Sequence, residues 1–181
     1  MFSLRHLIKA YRREPRAAAA LEFALIVGLA TLPALNIVDL AVYAFDEMQT
    51  HNAAEMAAEA AYNDCGTESY LPAMSQCTAS RSQWSISFAN AVNTGLTETI
   101  LGNLVTLNSD SEGWYCATTS NTLVQVASNT QTCSGYADTN ATPGDYVLVT
   151  AQYTYHPIFQ GMTVTSLLPA TITKTVWIRM E

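Results

Sequence analysis

Residues 12–45 read RREPRAAAALEFALIVGLATLPALNIVDLAVYAF, and the rest of the chain is organised around them. A basic cluster ends at Arg16, and an apolar run extends from Ala17 to Val38 with Glu22 as its only charge. Those 22 residues form a helix about 33 Å long, enough to cross a hydrocarbon core of about 30 Å. Arg5, Lys9, Arg12, Arg13 and Arg16 are five of the eight basic residues, and all precede the run. Such a flank predicts a tail held in the cytoplasm and a C-terminal part sent across the membrane. The 181 residues then leave room for one exported domain of ordinary size.

Glu22 lies near the start of the run. A carboxylate inside a lipid-embedded helix costs on the order of 3 kcal/mol on insertion scales. Two readings stand at this point. Glu22 is a boundary residue that snorkels or takes up a proton, or it is paired by another group in the membrane.

A basic leader, small residues, then Glu and Phe opening an apolar helix is similar to the prepilin-peptidase site of type IV pilins and pseudopilins. The segment RAAAALEFALIVGLATLPALNI resembles in particular the TadE-like minor pseudopilins of tight-adherence (Flp-type) pili. The resemblance implies cleavage between Ala17 and Ala18, which makes Glu22 the fifth mature residue and Phe23 the sixth. It also implies that Glu22 meets the N-terminal amine of a neighbouring subunit, contributed by that subunit's Ala18. Two opposite charges buried in lipid must pair, so the implied contact is physically sound. Many pilins have Gly before the cut, where this chain has Ala17. The C-terminal stretch matches the family more loosely, through Tyr153, Tyr155, Pro157, Ile158 and Phe159 and an ending on Arg179 and Glu181. The implied partners are other pilins or pseudopilins, the prepilin peptidase, an inner-membrane assembly platform and the bilayer. The implied location is the inner membrane, with the head periplasmic, and then the pilus outside the cell.

The same stretch also fits an uncleaved signal anchor, which needs only the basic flank and the apolar length. An ordinary signal peptide fits less well, because the charged tail and the apolar run are both long.

The expected domain plan is a leader at 1–17, a transmembrane and stalk helix at 18–64, and a head at 65–181. Net charge is −7 for the whole chain; without residues 1–17, three basic and fourteen acidic residues remain, a net of −11. So acidic an exported part argues against nucleic acid and anionic membrane surfaces as partners.

Residues 39–64 are rich in alanine, with no Pro or Gly, and continue the helix to about Asn63, roughly 70 Å in all. Leu40, Tyr43, Ala54, Ala57, Ala58 and Ala61 mark an apolar stripe, and Asp46, Glu47, Glu55 and Glu59 a wet face. Gly28 and Pro33 lie within the spanning part, where Pro33 is expected to kink or loosen the backbone. Gly66 is expected to end the helix. A second helix is expected over 81–107, interrupted at Gly95, with Trp84, Phe88, Ala91, Val92, Leu96, Ile100, Leu101 and Leu104 on its core side. From Ser111 the pattern turns to strands. WYCATT and TLVQVAS alternate, with a polar connection around Ser120 and Asn121; Val147, Val149, Ala151, Tyr153 and Tyr155 share one face; Ile172, Val176 and Ile178 share one face, interrupted by Lys174. Residues 129–144 and 156–169 are connections. The fold class is α+β, a long helix followed by a head with a second helix and a three- to four-stranded antiparallel sheet.

Four cysteines, none in a CxxC pair, predict two disulfides in an exported domain. Local pairing, Cys65–Cys77 and Cys116–Cys133, is favoured because each bond would tie down a polar, Ser/Thr/Asn/Gly-rich segment. His51 and His156 lack metal-ligand spacing, and no metal or other cofactor is expected. Asp110, Glu112, Asp138 and Asp145 are placed in loops that have no calcium-binding spacing. The chain has no GxSxG, HExxH or P-loop, so a non-enzymatic role is expected. Trp84, Trp114 and Trp177 read as core and sheet residues, and the Asn140-Ala141-Thr142 sequon as a chance match.

Two functions from different classes follow. The first is a minor pseudopilin, cut by a prepilin peptidase and built into, or initiating, a tight-adherence pilus used in adhesion. The second is an uncleaved single-pass membrane protein with a periplasmic ligand-binding domain.

Overall fold

The computed structural model describes residues 15–77, 80–81, 84–85, 88–120, 122–134, 136 and 141–180. The leader as far as Glu14, the side chains of Ala17 and Trp84, and Asp138, Asn140 and Glu181 lie outside the described residues.

Helix α1 (Pro15–Cys65) spans 51 residues, in keeping with a dense run of good helix formers. It continues through Pro33. Side chains reinforce the backbone on either side of that proline: Thr31 Oγ1 donates to the Val27 carbonyl at 2.7 Å, and Asn36 Nδ2 to the Leu32 carbonyl at 2.8 Å. The helix ends at Gly66 as expected, with the Gly66 amide on the Tyr62 carbonyl at 2.7 Å.

The chain divides into two compact units. One combines α1 as far as Tyr43 with the segment His156–Pro169. The other combines Ala44–Tyr155 with Ala170–Glu181.

The second unit is built on an alanine face. Ala53, Ala54, Ala57, Ala58 and Ala61 are all essentially inaccessible, at spacings of one, three and four residues. Against them lies α3 (Phe88–Thr97), which buries Phe88, Ala91, Val92, Gly95 and Leu96. Gly95 does not interrupt α3. A Cβ there would stand 2.4 Å from the Met56 carbonyl oxygen and 2.5 Å from Ala57 Cα, so the two helix backbones meet at a position only glycine fits.

The second helix is shorter than the sequence predicts. Its expected start holds instead β1 (Ser80–Arg81) and β2 (Trp84–Ser85), a two-stranded antiparallel ribbon. Serines there favour local bonds over helix. Its expected end is replaced by a turn, Gly102 at φ 51°, and a 3₁₀ turn at Gly102–Leu104. Ile100 and Leu104 are therefore 80% and 65% exposed rather than on a core stripe. The next residues enter the sheet, where Val105, Thr106 and Leu107 pair with Tyr153, Gln152 and Ala151. The short helix α2 (Ala73–Gln76) lies between the long helix and the ribbon.

The main sheet has four antiparallel strands in the order β4 (Leu123–Val126), β3 (Val105–Ala117), β5 (Gly144–Thr154), β6 (Thr171–Arg179). Strand β3 begins six residues before Ser111, because β5 is long enough to pair with it over its whole length. Val147, Val149 and Ala151 of β5 point into the core with Val105 and Met180, as their alternation predicts. Val176 and Ile178 of β6 pack against it. Lys174 interrupts that face because its ammonium meets Glu47 of α1. The architecture is α+β.

Two expectations for α1 fail. Leu40 is 41% exposed. Asp46 is buried rather than on a wet face: its side chain accepts a hydrogen bond from the Tyr153 hydroxyl, and its carbonyl accepts one from Thr50. Helical periodicity ranks residues by polarity, whereas Asp46 is covered by Tyr153 of β5.

Candidate functional site: the apolar helix and the loop docked on it

From Ala18 onward α1 is long and apolar enough to cross a membrane, and almost none of its most apolar stretch is buried. Phe23, Leu25, Ile26 and Leu29 are 66–78% exposed. Ala18 and Glu22 are exposed on the same helix. Neither ion pair formed among the described residues involves Glu22. The Ala17–Ala18 bond falls in the first turn of α1, where backbone amides have no helical partner.

The segment His156–Pro169 belongs to the same unit as this helix. Three donors from it converge on Asp39, which is fully buried. The Ile158 amide donates to Oδ1 at 2.9 Å, the Thr165 hydroxyl to Oδ2 at 2.7 Å, and the Thr163 hydroxyl also to Oδ2. One turn earlier, Asn36 accepts the Val164 amide at 2.8 Å. Burying a carboxylate requires such compensation, and here it comes from residues 119 to 126 positions away. The sequence marked Asp39 only as a residue following the apolar run. The alternating Thr163, Thr165 pair was its one local signal.

The cysteines pair locally, Cys65–Cys77 and Cys116–Cys133, and all four are buried. The first bond ties the end of α1 to the end of α2; the second ties β3 to the connection after β4.

Glu112 and Asp145, expected in loops, lie instead on the neighbouring strands β3 and β5. Residues of a long strand pair cannot be told from loop acids by composition alone. Glu112 accepts the Met74 amide at 3.1 and 3.2 Å through its two oxygens. Burial first, and then Asp145 beside it, push the Glu112 carboxyl up to about 7. Burial also raises Asp145, whose oxygens face Glu112 and the Ala73 amide short of full hydrogen-bond geometry. The pair therefore shares a proton near neutral pH. Asp110 also lies on β3.

Among the described residues no three His, Cys, Asp or Glu side chains gather as a metal site. His51 lies 3.8 Å from Glu55 on the surface of α1, and His156 is exposed. Trp177, expected in the sheet, is on β6 but 45% exposed, and it packs edge-on to Tyr115 at 5.0 Å.

The described residues thus define an α+β protein with an exposed apolar N-terminal helix and a disulfide-bonded, sheet-containing unit. Comparison with protein-family models, with curated proteins and with solved structures finds no match to this chain.

Proposed function

We propose that this chain is a TadE-like minor pseudopilin. It is processed by a prepilin peptidase between Ala17 and Ala18 and assembles through its N-terminal helix into, or at the start of, a tight-adherence pilus. The observation that carries the reading is Glu22, exposed on an apolar helix that has no counter-charge for it among the described residues. A carboxylate in that position is stabilised by pairing with a cation in the membrane. The amine of Ala18 on a neighbouring subunit, created only by cleavage, is such a cation. The exposed large side chains around Glu22 offer the apolar surface on which like helices pack, and Ala18–Ala20 and Ala24 permit close approach. In this reading the protein spans the inner membrane once before assembly, with its head in the periplasm, and acts by packing rather than by catalysis.

Mass spectrometry of the mature N-terminus in the membrane fraction is the direct test. A chain beginning at Ala18 is expected. A chain beginning at Met1 in cells with an active prepilin peptidase would leave a signal-anchored membrane protein with a periplasmic ligand-binding domain. Glu22→Ala is expected to keep membrane insertion and lose incorporation into pili; unchanged incorporation would remove the pairing role.

A further inference from the structure

A loop exposed to water turns its polar groups outward and its apolar groups in. The segment His156–Pro169 departs from this: although His156, Gln160 and Ser166 are exposed, the Ile158 amide and the Thr163 and Thr165 hydroxyls point inward onto Asp39 and the Val164 amide onto Asn36. Thr163 and Thr165 are accordingly buried. Outward stand Ile158, Met162, Val164 and Leu167, which are 49–85% exposed. The fourteen residues include no Asp, Glu, Lys or Arg, within an exported part whose net charge is −11.

The place where the loop docks selects its occupant. Asn36 and Asp39 bracket Val38, the last residue of the apolar run, and both anchors lie in the same compact unit as that run. The exposed apolar side chains of the loop thus continue the surface that the helix presents to lipid. Backbone that enters an apolar medium must have its polar groups satisfied within the protein, which is what Asn36 and Asp39 accomplish for this loop.

We infer that His156–Pro169 is a second membrane contact, seated at the headgroup–acyl boundary of the phospholipid bilayer where α1 emerges. It rests on the proposed membrane-spanning role of α1. With no Lys or Arg in the loop, insertion is driven by apolar area and not by anionic headgroups.

The test uses the full chain in phosphatidylcholine vesicles, with single Leu167→Trp and Leu29→Trp substitutions. The emission gained over the parent is compared in ordinary lipid and in lipid with brominated acyl chains. Quenching of both added tryptophans by about twofold or more is expected, with Leu167→Trp also shielded from aqueous iodide and unaffected by adding phosphatidylglycerol. Quenching at position 29 with an unquenched, iodide-accessible tryptophan at 167 would overturn the loop inference and leave the spanning helix intact. A tryptophan at 167 shielded from both quenchers would assign the loop to a contact with another copy of this chain and equally overturn it. No quenching at position 29 would remove the spanning helix, and the loop inference with it.

Discussion

Asp39 and the Glu112–Asp145 pair show two ways of burying a carboxylate. Asp39 is met by three donors, two hydroxyls and an amide. The Glu112–Asp145 pair, by contrast, puts two acids side by side with few donors, which pushes both carboxyls up from their ordinary range. This difference has a consequence for stability. The Glu112 carboxyl titrates at about 7 in the fold, against an ordinary value of 4.5. Between those values the folded protein binds more protons than the unfolded chain, so this contribution to stability is fully present below about pH 4.5 and is lost as pH rises through about 7. The thermal midpoint is expected to be higher at about pH 5 than at about pH 8. Glu112→Gln keeps an oxygen for the Met74 amide and removes one charge, so it is expected to raise the midpoint at alkaline pH and flatten its pH dependence. A pH series of thermal unfolding curves on both proteins checks this.

At the scale of elements, the contact between α1 and α3 is made by small residues. Ala53, Ala54, Ala57 and Ala58 on one side and Gly95 on the other bring the backbones together, with Met56 and Ala57 beneath Gly95. Gly95→Ala would drive a methyl group into backbone atoms that cannot move aside, and a loss of about 1–3 kcal/mol is expected, as for overpacked cores. Gly28→Ala is the matched control, since no atom lies within 4 Å of its Cβ position, and no loss is expected there. Chemical denaturation of the two variants in detergent measures both. The length of α3 carries a related lesson. Apolar residues at helical spacing continue past Thr97 in sequence, yet Val105–Leu107 form sheet, because a β3–β5 ladder that started later would leave Ala151–Tyr153 of β5 unpaired on that side.

For the whole molecule, the division into two units makes the segment 156–169 an insertion between β5 and β6. The Tyr155 amide bonds the Ala170 carbonyl at 2.7 Å at its base, and nine residue pairs from Tyr146↔Arg179 to Thr154↔Thr171 hold the two strands beyond it. Replacing residues 156–169 with Asn-Gly, a dipeptide suited to tight hairpins, is therefore expected to leave the sheet folded, with a midpoint shift under about 4 °C or 1 kcal/mol. Circular dichroism and a thermal scan of the shortened chain test it. Much of this organisation is legible in the sequence. The apolar run with its basic flank, the alanine face, the alternation in β5 and β6 and the local cysteine pairing all express short-range periodicity or spacing, which any chain displays in one dimension. What tertiary structure alone decided is where the acids and the connections go. Asp39 and Asp46 read as polar positions on a helix, Glu112 and Asp145 as loop acids, and His156–Pro169 as a plain connection. Each is settled by partners far away in sequence: Thr163 and Thr165 for Asp39, Tyr153 for Asp46, and for Glu112 the amide of Met74 together with Asp145. Periodicity reports a residue's preference for water, whereas a buried charge is placed by donors that only the folded chain brings to it.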